Sequence, residues 1–281
     1  MKKQSNVKRF FIVFLPLILL MVFILFPFYW TFVTSVKPQD ELYGAVVTYW
    51  PSAVTFEAYS KLFTTTVNFL AAMKNSFIVA SFTTIVSLTA STLAAYAFSR
   101  YQFAGRKLLM CTFLCNNMFP TVLLLIPLYT IMRKLGLLYT PTSLVLSYTT
   151  FTIPFSVWLL LGFLNDLPMS LEEAALVDGC SRVSAFFQVI IYLVKPGIAS
   201  ISVFSFLSAW SNYILFNTLI FNSKTPVFAT YLRSLSSNEQ MIASYGVFAA
   251  MALVYMLPVI VFFLISQRSL MEGNIASGKG V

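Results

Sequence analysis

The chain contains no histidine, only three cysteines, and charged side chains at just 10% of its 281 positions. Without histidine, the commonest metal ligand and the usual acid–base group at neutral pH are missing. Three cysteines make no disulfide framework. Cys111 and Cys115 stand one helical turn apart in an apolar run and Cys180 lies in a loop. With no other ligand type nearby they read as small, polarizable packing residues, so no metal site and no catalytic residue is expected.

The scarcity of charge is also one of placement. Six apolar segments, 10–34, 75–99, 108–132, 143–164, 197–221 and 243–266, contain no Asp, Glu, Lys or Arg. Hydrophobic residues make up 59% of the chain, and the mean hydropathy is +0.84. A hydrocarbon core about 30 Å thick calls for helices of about twenty apolar residues, and a charge at its centre costs at least about 2.5 kcal/mol. The pattern predicts an all-α integral membrane protein with six transmembrane helices. A β-barrel would show shorter, alternating segments. The expected layout is a tail at 1–9, a single membrane domain over 10–266, and a second tail at 267–281.

Basic residues set the expected orientation. Six spans put both ends on one side, which holds eleven of the 18 Lys and Arg residues, with clusters at Lys2, Lys3, Lys8 and Arg9 and at Arg100, Arg106 and Lys107. The positive-inside rule then predicts cytoplasmic termini in a bacterial-type inner membrane. The net charge of +9 suits anionic lipid headgroups and calls for no nucleic acid. The first segment is too long for a cleaved signal and lacks an Ala-x-Ala-like site, so it should remain as an anchor.

Polar residues are few inside the spans, and they cluster. Asn116 and Asn117 precede Pro120 in the third segment; Trp210, Ser211, Asn212, Tyr213 and Asn217 occupy the fifth. Uncharged amides and aromatic rings suit a neutral polyhydroxylated ligand, the rings stacking on its faces and the amides exchanging hydrogen bonds with its hydroxyls. Interhelical hydrogen bonding is the plainer reading of the same residues. The connection 35–74 carries the aromatic residues Tyr43, Tyr49, Trp50, Phe56, Tyr59 and Phe63 between polar ones, which suit either an interfacial belt or a docking surface.

The connection 165–196 reads as two helices. Pro168 precedes Ser170-Leu171-Glu172-Glu173, where Ser170 and Glu173 have capping-box spacing. Gly179 offers the backbone freedom of a helix stop. Ser181 can cap a second helix with Val183, Phe186, Phe187, Ile190, Ile191 and Val194 on one apolar stripe, ending at Lys195-Pro196-Gly197. The short first helix, with Ala174 and Ala175 permitting close approach and Glu172, Glu173 and Asp178 supplying charge, looks like a ball for a socket. A rigid second helix would pass a push into the fifth segment. An amphipathic connector without a partner has the same spacing.

Glu173-Ala174-Ala175 followed by three residues and Gly179 resembles the EAA loop of binding-protein-dependent ABC importer permeases. The string LPMSLEEAALVDGCSRVSAFFQVIIYLVKPG resembles the carbohydrate branch. PFYWTFVTSVKP, AAYAFSRYQFAGRK, NMFPTVLLLIPLY, FSFLSAWSNYILFNTLIF and QRSLMEGNIASGKG extend the similarity to the maltose-type permease. Tyr192 stands where that family usually has proline. The resemblance implies one permease working with a second permease, two cytoplasmic ATPase subunits and an external sugar-binding protein. It also implies ATP and Mg in those partner subunits and no cofactor in this chain. By the family pattern Glu172, Glu173, Ala174, Ala175, Asp178 and Gly179 would engage the ATPase, and the tail, with Gln267, Glu272 and Gly273, would reach it. A sister permease for another solute is the nearest alternative. A secondary transporter would normally need a titratable or ion-coordinating group at mid-depth, and the six segments contain no Asp, Glu, Lys, Arg or His.

Overall fold

The computed structural model describes residues 10–64, 69–220, 226–228, 231 and 245–277, with side chains to residue 269. Among the described residues all regular structure is helical. The helices are α1 (Leu15–Val36), α2 (Gln39–Leu42), α3 (Glu57–Thr64), α4 (Phe69–Arg100), α5 (Arg106–Met118) and α6 (Thr121–Lys134). There follow α7 (Pro141–Asn165), α8 (Ser170–Val177), α9 (Arg182–Leu193), α10 (Lys195–Trp210), α11 (Tyr213–Leu219) and α12 (Tyr245–Ser277). Among the described residues four helices are long and apolar enough to cross a membrane unbroken. Two further pairs qualify only when each bent pair counts as one span: α5 with α6, at 110°, and α9 with α10, at 75°.

The chain divides into two compact units. The first comprises 1–69 and 234–257, the second 70–233 and 258–281. In the first unit α1 is apolar and exposed from Leu15 to Tyr29, as a lipid-facing stretch must be, and is buried only near its end, at Val33, Ser35 and Val36. The chain beyond it is tied down by polar contacts. Lys37 is buried, donates to the Thr48 carbonyl and lies 5.2 Å from the Trp30 ring centre. The Glu41 carboxylate accepts from the Thr48 hydroxyl and, at 3.0 and 2.9 Å, from the amide and hydroxyl of Ser52. These donors, Thr48 foremost, hold its carboxyl below the usual glutamate range.

The second unit is built on α4 and α7. Buried Ser76, Thr83, Ser87 and Ser91 form a small-residue face on α4, and Ser87 meets Thr152 of α7 at 2.5 Å. Thr140 caps α7, accepting from the Ser143 amide, and Pro141 stands in its first turn. The core gathers Ala95 and Phe98 of α4, Leu160 and Leu164 of α7, Phe186, Ile190 and Val194 of the α9 segment, and Ile201 of α10. At the start of α10, Gly197 sits so close to α7 that a Cβ would lie 2.7 Å from the Phe163 ring.

The third and fifth apolar segments are interrupted where continuous helices were expected. Pro120 has no N–H and forces Phe119 into an extended conformation, φ −78°, ψ 127°, which ends α5. In the fifth segment Asn212, at φ −83°, ψ 95°, separates α10 from α11.

Candidate functional site

Two regions of the second unit hold most of the residues singled out by the sequence. The first is the connection between α7 and α10. The helix stop at Gly179 is present: its φ is +89°, its amide donates to Leu176 O at 3.1 Å, and the Cys180 amide donates to Ala175 O at 3.0 Å. This is a Schellman ending, which needs a left-handed residue. Ser181 accepts from the Ser184 amide and caps α9 as expected. Beyond Val194 the chain turns into α10 with Pro196 in its first turn, so Lys195-Pro196-Gly197 opens a helix immediately after the break.

Three expectations here are corrected. The capping box does not form, because α8 begins at Ser170 itself and the Pro168 and Met169 carbonyls accept the first amides, those of Leu171, Glu172 and Glu173. The stripe on α9 is split: Ala185, Phe186, Ile190 and Val194 are buried, whereas Val183 and Phe187 are exposed. A π-helical turn at Phe186–Ile190 shifts the register there. Glu172 is not on the outer edge of α8. Its side chain is 12% exposed, its Oε1 accepts from Tyr96 OH, and its Oε2 lies 3.1 Å from Arg100 Nε, an ion pair by distance without hydrogen-bond alignment. Glu173, Ala174, Val177, Asp178 and Gly179 are exposed, Val177 at 87%, while Ala175 is buried.

The partners of Glu172 come from the end of α4. Arg100 also reaches the Leu167 carbonyl at 3.4 Å, and Ser99 donates to Asn165 Oδ1 at 2.9 Å. Arg182 hydrogen-bonds the Tyr101 hydroxyl, which raises its already high pKa. Tyr96 and Arg100 share a helix face at i, i+4, a spacing visible in the sequence. Nothing local to either segment says that they meet Glu172.

The second region is an open cavity of about 740 Å³ lined by Asn116, Asn117, Tyr148, Phe151, Thr152, Phe204, Ser208, Ser211, Asn212 and Tyr213, among others, with no ionised side chain. Its walls are helix breaks. Pro154 cannot donate to the Thr150 carbonyl one turn back, and Asn116 Nδ2 donates to that oxygen at 2.8 Å. Asn212 Oδ1 caps α11 through the Leu215 amide at 3.1 Å, while its carbonyl accepts from Tyr148 OH at 3.0 Å. The backbone groups freed at these points are thus met by side chains.

Four of the six residues expected on a pathway, Asn116, Asn117, Asn212 and Tyr213, line this cavity. Trp210 does not; it is 2% exposed and stacked 5.6 Å from Phe206 in the core. Asn217 is half-buried on α11, away from the lining. Trp210 ends α10 on its buried face with Phe206, and Asn217 follows the break at Ser211 and Asn212 on α11. Tyr148 and Thr152 escaped sequence reading because α7 is uniformly apolar or hydroxylated, with no stripe to mark one face. Of the tail residues, Gln267 is half-buried on α12; Glu272 and Gly273 continue that helix, and the Glu272 side chain lies outside those described.

The model of the family described as "binding-protein-dependent transport system inner membrane component" matches residues 87–270. The sulfoquinovosyl glycerol transport system permease SmoH of Agrobacterium fabrum is 34% identical over 259 residues, covering 90% of this chain and 88% of that one. The trehalose transport system permease SugB of Mycobacterium tuberculosis is 33% identical, covering 89% and 90%. The galactooligosaccharides transport system permease GanQ of Bacillus subtilis is 33% identical, covering 94% and 93%. A chain of a bacterial ABC transporter involved in import of the acidic polysaccharide alginate has a similar fold, with a TM-score of 0.81 at 22% identity, covering 95% of this chain and 99% of that one.

Proposed function

The chain belongs to the binding-protein-dependent transport system inner membrane components, and from that membership we propose that it forms one half of the pathway through which an ABC importer admits a neutral sugar or short oligosaccharide. The observation that carries the cargo class is the cavity of about 740 Å³ lined by amides, hydroxyls and aromatic rings without an ionised group. A polyhydroxylated solute exchanges hydrogen bonds with such groups, whereas a strongly charged one finds no counter-charge there. Asn116, Asn117, Asn212 and Tyr213 are the proposed contacts, and buried Trp210 and half-buried Asn217 support the wall behind them. The similarity to permeases named for trehalose and galactooligosaccharides supports the same cargo class.

The assembly contains a second permease, two cytoplasmic ATPase subunits that hold ATP and Mg, and an extracytoplasmic binding protein that delivers the sugar; this chain holds no cofactor. Both termini are cytoplasmic, as the basic clusters favour. The outer edge of α8, with Glu173, Ala174, Asp178 and Gly179, docks on an ATPase subunit while Ala175 packs behind it. The tail from Gln267 through Glu272 and Gly273 reaches the ATPase dimer.

The test is hydrolysis by the complete complex reconstituted with its binding protein. Neutral di- and oligosaccharides should stimulate it. Stimulation by amino acids, peptides or phosphate alone would overturn the cargo assignment. A Glu173→Arg, Ala174→Trp chain should lose co-purifying ATPase subunits while still inserting in the membrane.

A further inference from the structure

We infer that Glu172, Arg100 and Tyr96 form a positioning latch that carries the movement of the docking helix α8 into the second span and on to the cavity wall. The inference rests on the reading of α8 as the part an ATPase moves. Two adjacent acids on that helix have opposite fates: Glu173 is exposed, whereas Glu172 is turned back into its own chain. Its two carboxylate oxygens are held by two side chains one turn apart on α4, Tyr96 OH at Oε1 and Arg100 Nε at 3.1 Å from Oε2. Arg100 and Glu172 side chains are only 7% and 12% exposed.

A buried ion pair is a poor way to gain stability, because desolvating both charges offsets much of their attraction and well-packed apolar side chains serve as well. What it adds is directionality. A carboxylate hydrogen-bonded at one oxygen and ion-paired at the other cannot slide or roll along α4 without breaking one contact or stranding a buried charge. Secondary contacts brace the same joint: Arg100 to Leu167 O at 3.4 Å, Ser99 to Asn165 at 2.9 Å, and the Tyr96 ring 4.7 Å from that of Phe186. From Arg100, α4 runs thirteen residues, about 20 Å, to Ser87. There Ser87 meets Thr152 at 2.5 Å, and Thr152 lines the cavity. This path through α4 runs beside the direct covalent one through Pro196 into α10.

The experiment uses the complete complex in liposomes and reads the cavity without needing its cargo. Ser208 is changed to Cys in a chain whose Cys111, Cys115 and Cys180 are Ser, and its labelling by a small water-soluble maleimide is compared with and without ATP, Mg and vanadate. We expect nucleotide to change the labelling rate about tenfold in the parent. Glu172→Arg and Arg100→Glu should each reduce that change to less than about twofold, and the swapped pair should restore it. The decisive variant is Glu172→Met with Arg100→Met, which keeps the joint packed without its charges. Retained ATPase subunits with a lost nucleotide response support the latch; a full nucleotide response in that variant overturns it. The docking reading is scored separately by whether Glu173→Arg, Ala174→Trp releases the ATPase subunits, whatever the latch variants do.

Discussion

The connection between α7 and α10 and the cavity between α5, α7 and α10 are both made by interrupting helices, yet they treat charge in opposite ways. At the connection a carboxylate and a guanidinium are buried against each other, and further charges, Glu173 and Asp178, are left exposed on the rim. At the cavity every lining group is neutral, and side chains meet the freed backbone groups: the Asn116 amide meets the Thr150 carbonyl, the Tyr148 phenol the Asn212 carbonyl, and the Asn212 side-chain oxygen the Leu215 N–H. The difference comes from the surroundings of each. A charge next to the aqueous edge can be paired at tolerable cost, whereas mid-span it would face hydrocarbon. A joint that transmits force gains from a rigid, directional pair. A passage gains from groups that hold a solute weakly and release it.

The largest effect that could break this comparison is expected from Glu172→Ala, which strands Arg100 in a buried site. The loss should be about 3 to 5 kcal/mol, read as a lower melting temperature of the purified complex. Glu173→Ala, on the same helix but exposed, should change stability by less than about 0.5 kcal/mol and so leave that temperature close to the parent's. Equal losses from the two would erase the distinction between inner and outer acid.

Next in size is Gly197→Ala. Its Cβ would meet the Phe163 ring at 2.7 Å, and overpacking of this kind costs about 1 to 3 kcal/mol. Phe163→Ala in the same chain should recover most of the loss, which places the strain at the junction of α7 and α10 and not in the cavity.

At the cavity, Asn116→Ala should cost only about 1 kcal/mol, the net value of one hydrogen bond. Adding Pro154→Ala restores an amide to the Thr150 carbonyl and should return that stability. Transport should stay impaired in the double variant if Asn116 also meets the sugar. Recovery of transport along with stability would make Asn116 a purely structural residue.

The smallest effect sharpens the comparison from outside both regions. Glu41 is held by hydroxyls and an amide with no arginine, and its carboxyl lies below the ordinary glutamate range. A lowered folded-state pKa means that these ties contribute fully above the unfolded-state value and are lost only as pH falls through the lowered one. The protection factor of amides over 38–56, which is exchange corrected for its intrinsic pH dependence, should therefore stay level above the ordinary glutamate range and fall only as pH drops through the lowered value, and Glu41→Gln should remove that fall.

Much of this was legible in the residues. Uncharged runs specify membrane helices because the cost of burying a charge in hydrocarbon is a property of the side chain itself. Gly179 and Ser181 specify a stop and a cap because those are local backbone requirements, and both are met as the sequence predicts. The short charged helix beside them, and its likeness to the loop of one transporter family, could be read from residue order alone. Only the tertiary structure decided which of two adjacent acids turns inward, since Glu172 finds its partner in Tyr96, 76 positions away. It likewise decided that Trp210 packs in the core while Asn116, Asn212 and Tyr213 line a cavity. Sequence periodicity describes one helix, but the phase of each helix against its neighbours is set by packing among all of them, and the breaks at Pro120 and Asn212 reset that phase mid-span.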